Sequence, residues 1–144
     1  MYTPRVVGVL VGQPLAIRNS DNTFHNVRGT LGDKPLWNKP QPAHAPDLQP
    51  TISPAADDII ELHCDVHAWM HAYAVVSSNP FFAVTGDDGA FSITGLPPGT
   101  YTLQSWHPVL GTRSVTVKVG QGAKGKVNAH LAYKSQDLPA GVAR

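Results

Sequence analysis

Cys64 is the only cysteine in this 144-residue chain, and it stands in the stretch LHCDVHAWMHAY (62–73). The same twelve residues hold three of the seven histidines and one of the two methionines. A single cysteine excludes an internal disulfide, a Cys-rich zinc site and the CxxCH pattern of attached haem. It leaves buried filler, a reactive thiol or a metal ligand. Cys64, His67 and Met70 are spaced C-x2-H-x2-M, so one tight loop can turn all three side chains toward a common point. His25, far upstream at the end of a β-branched and aromatic run, TFHNV, supplies a second imidazole. One thiolate, two imidazoles and one thioether suit copper: thiolate and thioether favour Cu(I), and imidazole also accepts Cu(II). A buried thiolate with no cation nearby would be costly, and a metal-bound thiol is deprotonated outright.

Such donors need a stiff scaffold, and the rest of the chain reads as strands. Hydrophobic residues make up 42% and charged residues 15%, enough apolar surface for a core. Thirteen glycines and thirteen prolines, among many Val and Thr, point to short strands joined by turns. RVVGVLVGQPLAIRNSD (5–21) reads as two strands broken at Gly12 and Pro14, and NSDN (19–22) is a turn leading into TFHNV. Six prolines between 33 and 58 exclude a helix or a central strand and argue for a long surface loop with extended pieces. IIELHC (59–64) alternates, with Ile60, Leu62 and Cys64 on one face and Glu61 and His63 on the other. AYAVVS (72–77) is the next strand. Five more strand candidates follow: FFAVT, GAFSIT, TYTLQSW, RSVTVKV and KVNAHLAY, separated by GDDG, GLPPG and VGQGAKG. No helix is expected.

A formal net charge of +1 without a basic run argues against nucleic acid. No apolar run approaches a membrane span. No GxSxG elbow or Gly-rich phosphate loop is present. Asp87 and Asp88 suit a turn better than acid–base work. His63 falls on the strand face opposite Cys64, and His71 is expected to point away. His44 is expected in solvent, His130 on a polar face, and His107 capping a turn; its alternative is a donor to the metal pocket. Trp37 is expected to anchor the long loop, and Trp69 to pack in the core or at the rim; its alternative is an apolar patch near His67 where a redox partner docks.

At its candidate ligands the chain resembles the cupredoxins. The loop is similar to the short C-x2-H-x2-M ligand loops of amicyanin-like and plastocyanin-like members, and YTPRVVGVLVGQPLAIRNSDNTFHNV (2–27) follows their run into the first copper histidine. The resemblance implies a Greek-key β-sandwich holding a mononuclear blue copper, with His25, Cys64 and His67 equatorial and Met70 axial. It implies that the Asn26 amide ties the two ligand segments together. It also implies a single-electron carrier rather than an enzyme, because four protein ligands leave no open position for a substrate. A c-type cytochrome or a dehydrogenase is the expected partner, the monomer the expected state, and the periplasm the expected location; no signal peptide is recognised at Met1. A copper chaperone, store or sensor is the alternative. FFAVTGDDGAFSITGLPPGTYTLQSWHP (81–108) resembles the carboxypeptidase-regulatory-like β modules, a structural signature. The expected organisation is a copper-binding part over 1–78, an antiparallel β module packed on it over 79–134, and a tail over 135–144.

Overall fold

A computed structural model describes residues 1–50, 55–121 and 127–134. Among them are seven strands and no helix: β1 (Val6–Leu10), β2 (His25–Leu31), β3 (Lys34–Gln41), β4 (Ile59–His63), β5 (His71–Ser77), β6 (Gly99–His107) and β7 (Gly111–Val119). The protein is all-β, as its sequence requires. The first five strands form one sheet in the order β1-β5-β4-β2-β3, and β6 and β7 form a second, two-stranded sheet. Contacts divide the chain into two compact units, Met1–Thr94 and Gly95–Arg144. Residues 79–94, grouped by sequence rhythm with the second half, fall here in the first unit, where the Phe82 ring packs on Gly8 of β1.

β1 runs parallel to β5; every other pair in the five-stranded sheet is antiparallel. One face is the core: Val9, Val27, Ile60, Leu62, Ala72, Ala74 and Val76, with Trp37, Leu15 and Ile17 packed against them. On β4, Ile60 and Leu62 are buried while Ile59, Glu61 and His63 are half-buried on the other face, so the period-2 alternation holds. Cys64 is the next residue on the buried side, at 3% exposure.

Within 33–58, expected as a surface loop with extended pieces, Lys34–Gln41 is a regular strand at the edge of the sheet. Two of its prolines, Pro35 and Pro40, lie in β3 opposite Thr30 and Asn26. They are tolerated because β3 is the outermost strand, where a missing N–H breaks no ladder on the solvent side. The register shifts between Gly29 and Thr30, a bulge that twists the edge. Trp37 on β3 lies directly over Gly29, whose lack of a side chain admits the indole. The described residues 42–50 do form a loop, pinned by one bridge in which the Ile17 and Leu48 main chains exchange two hydrogen bonds of 2.9 Å. The strand expected around Leu15 and Ile17 is reduced to that bridge, although both side chains are buried.

In the second half, TYTLQSW and RSVTVKV form the β6–β7 hairpin, paired from Gly99↔Val119 to His107↔Gly111. FFAVT and GAFSIT are not strands. The GDDG turn between them closes as expected, with Gly86 N–H donating to Ala90 O and Asp88 Oδ1 accepting from Ala90 N–H. Alternation without a ladder partner does not make a strand, and Val84 and Phe91 remain exposed. KVNAHLAY begins outside the described residues, and its described part, 127–133, is not a strand either. Tyr133 nevertheless docks on the hairpin, its hydroxyl donating to Gly111 O and bonded to Ser105 Oγ. The tail over 135–144 lies outside the described residues.

Candidate metal centre

His25 opens β2, and the turn before it is built from one buried amide. Asn19, 5% exposed, places its Nδ2 within 3.0 Å of the carbonyls of Thr23, Gln41 and Pro42. Its Oδ1 accepts the Asp21 N–H. Gln41, also buried, donates to Ile17 O. These bonds satisfy main-chain groups that a loop would otherwise strand away from water, and they fix the approach to β2.

Cys64 and Met70 close the second ligand segment. Cys64 N–H donates to Met70 O at 3.3 Å, and Met70 N–H donates to His67 O at 2.9 Å. The loop between β4 and β5 therefore folds back on itself, carrying His67 toward Cys64. Met70 is buried, at 4% exposure.

The result is one focus. His25 Nδ1 and His67 Nδ1 are 3.0 Å apart, and Cys64 Sγ lies 3.8 Å from the first and 3.6 Å from the second. These three residues form a group whose donor atoms could hold a metal ion. A point equidistant from all three atoms lies about 2.0 Å from each, against usual metal–nitrogen and metal–sulfur bonds of about 2.0–2.3 Å. The tautomer of His25 strengthens the case. Its Nε2 sits 2.9 Å from Asp21 Oδ2, and an ionised carboxylate only accepts. The ring proton is therefore on Nε2, and Nδ1 turns a lone pair toward the sulfur and the second imidazole. Three electron-rich atoms aimed at one spot repel unless a proton or a cation sits among them.

Asn26 holds the two segments together. Its Oδ1 accepts the Asp65 N–H at 2.6 Å and lies 3.5 Å from Cys64 Sγ. Its Nδ2 donates to Asn38 Oδ1 at 2.8 Å and to Asp65 Oδ2 at 2.7 Å. Asn38 also donates to Asp65, and Arg28 pairs with it at 3.2 Å. The amides of Asn38 and Asn26 hold the Asp65 carboxyl below its ordinary range, with help from Arg28.

Burial alone raises the Cys64 thiol. Hydrogen bonding from the Asn26 main chain and from the imidazoles of His25 and His67 outweighs it, and brings the thiol down to about 6. The imidazole pull acts only through positive charge at the focus: a shared proton in the free protein, or a metal ion. Tyr2 feels the opposite field. Its hydroxyl donates to His63 O at 3.2 Å and is pushed up to about 12 by burial, then by the negative charge of Cys64 and Asp65.

The structure thus brings together His25, Cys64 and His67, and places Met70 buried at the loop's end. Trp69 is 69% exposed with its ring 5.2 Å from that of His67, centre to centre. His63 and His71 lie away from the focus; the His71 Nε2 binds Ala68 O at 2.7 Å. His107 caps a turn as expected, its Nδ1 accepting from Val109 and Leu110 N–H. His44 and His130 are exposed. Asp21, Asn38 and Asp65 were not singled out from sequence. Only Asp21 left a signal, a carboxylate four positions before a candidate ligand histidine.

Nothing in the described residues forms a helix long and apolar enough to cross a membrane. Comparison with protein-family profiles, with curated proteins and with solved structures found no match to this chain.

Proposed function

We propose that this chain is a mononuclear blue-copper protein of cupredoxin type that carries single electrons between redox partners. The observation that carries this reading is the convergence of two imidazole nitrogens and one buried sulfur on a point at metal-bond distance from all three. Thiolate plus imidazole, with Met70 as a weak fourth donor, is the blue-copper set. A copper ion held there supplies a one-electron couple.

The protein's own contribution is constraint. His25 is fixed by Asp21 and by the turn around Asn19, and Cys64 by β4. His67 is carried by a loop closed through two main-chain bonds. Donors held this firmly change position little between oxidation states, so reorganisation is small. The half-buried His67, with Trp69 beside it, offers the shortest route from the focus to a partner's surface. A c-type cytochrome or a dehydrogenase docking weakly there fits a transient exchange. The Greek-key sandwich, the monomeric state and the periplasmic location belong to the same proposal. With four protein donors and no open position, the reading is a carrier and not an enzyme.

A copper-handling role shares the ligand set, and a pair of histidines beside the loop, His63 and His71, favours it as the second reading. Addition of Cu(II) to the apo-protein tests the first. An intense visible thiolate-to-copper band, lost in Cys64→Ser and reversibly bleached by reductant, is the expected result. A colourless, redox-silent product refutes the carrier. A product that binds one oxidation state far better and yields copper to a chelator favours handling.

A further inference from the structure

The outer face of the five-stranded sheet carries a second set of metal donors that the buried cluster does not use. His63 and His71 are directly opposed in the β4–β5 ladder. Directly opposed residues in an antiparallel pair bring their Cβ atoms to roughly 5 Å. Here the two rings stand edge to face with centres 4.6 Å apart. Glu61 lies two residues before His63 on the same face, with Oε2 3.1 Å from His63 Nε2.

The ring protons can be placed by their partners. His71 Nε2 meets the Ala68 carbonyl and His63 Nε2 meets the Glu61 carboxylate, both pure acceptors. Each neutral ring therefore carries its proton on Nε2 and keeps a lone pair on Nδ1. Metal-binding histidines are prepared in this way, with the far N–H tied to a carbonyl or carboxylate. His71 is exposed. The Glu61 side chain is 42% exposed and so able to swing from second-shell partner to ligand. The Asp65 carboxylate is held by Asn26, Asn38 and Arg28, and its charge reaches His63 without needing to ligate.

We propose that His63 and His71, opposed across β4 and β5 and supported by Glu61, form a second, surface site for a divalent first-row metal ion. Two imidazoles and a carboxylate suit borderline ions, and the general affinity order makes Cu(II) the tightest of them. The site differs from the buried one in chemistry. It has no sulfur, so it does not favour Cu(I) and gives no intense thiolate band. It lies on the strand face opposite Cys64, with His71 exposed and His63 half-buried.

Equilibrium dialysis of the full chain against Cu(II) in a non-coordinating buffer, with visible spectra of the same samples, tests this. The wild-type protein is expected to take up two equivalents, one of them without the thiolate band. His71→Ala, a change at an exposed position, is expected to lose the second equivalent and keep the first with its band. Glu61→Gln is expected to weaken the second equivalent by about 10–100-fold, as loss of a partner that orients a ligand does. Cys64→Ser is expected to abolish the band while leaving the His71-dependent equivalent in place. A wild type whose only equivalent is the one that carries the thiolate band, or a His71→Ala variant that takes up as many equivalents as the wild type, overturns the proposal. If no band forms in the wild type but His71→Ala still loses an equivalent, the surface site stands and the blue-copper reading falls.

Discussion

Asn26 is the residue on which the geometry of the buried cluster most depends, and its removal is expected to be expensive. Asn26→Ala deletes an acceptor for the Asp65 N–H, the 2.8 Å donation to Asn38 and the 2.7 Å donation to the Asp65 carboxylate. A neutral hydrogen bond contributes about 0.5–1.5 kcal/mol net, and one to a charged group about 1.5–3 kcal/mol. Asp65 is 40% exposed, so water screens the charged bond and the lower end applies. Partial replacement by water and non-additivity within one network trim the sum to about 2–4 kcal/mol. With a urea slope of about 2 kcal/mol per molar, the middle of the usual range for small proteins, the midpoint of the apo-protein falls by about 1–2 M. Asn38→Ala is the control. Asn38 is exposed, so loss of its two bonds is expected to cost about 1 kcal/mol or less. Asn26→Asp sharpens the test, because it sets a carboxylate against Asp65 where an amide donor stood. Urea unfolding followed by tryptophan fluorescence reads all three. If Asn26→Ala unfolds within about 0.5 kcal/mol of wild type, or no worse than Asn38→Ala, the idea that this amide locks the two ligand segments is refuted.

Three further outcomes follow from single contacts. Gly29→Ala is expected to destabilise by about 1–3 kcal/mol, because a Cβ there collides with the ring of the buried Trp37; a thermal melt unchanged from wild type would contradict that packing. Asp21→Asn removes the carboxylate that sets the His25 tautomer, and is expected to weaken metal binding at the buried cluster by about 10–100-fold with little change in the fold, measured by chelator competition alongside circular dichroism. Tyr2 is expected to ionise near pH 12, as a late step in the 295 nm absorbance titration that Tyr2→Phe removes. Its folded value lies above the ordinary 10.0, so the stabilisation is complete below pH 10 and is lost as pH rises through 12.

How much of this was legible in the sequence depends on whether the signal was local. The closeness of Cys64 and His67 in the candidate metal cluster was, because soft donors at C-x2-H-x2-M are rare enough to stand out, and because alternation in IIELHC fixes which face Cys64 takes. The pairing of His25 with that loop came from a resemblance; it holds because β2 lies beside β4 in the sheet, a neighbour relation that no local pattern encodes. β3 was legible only as an extended piece of a loop. Proline content argues locally against a central strand, but it leaves open an edge strand whose absent N–H faces outward, and only the sheet decides that. FFAVT and GAFSIT failed in the other direction: their alternation is local, but a strand also needs a partner. Beyond Asn26, which the resemblance singled out, the Asn26–Asp65–Asn38–Arg28 network was invisible in sequence because its members come from two strands and one loop, and Asp65, Asn38 and Arg28 alone are ordinary polar residues. The same holds for His63 and His71. Eight positions apart, they look like two unrelated histidines until the register of β4 and β5 sets one across from the other. Side chains that do chemistry can be recognised one at a time, but the contacts that hold them in tautomer and in place are a property of strand order.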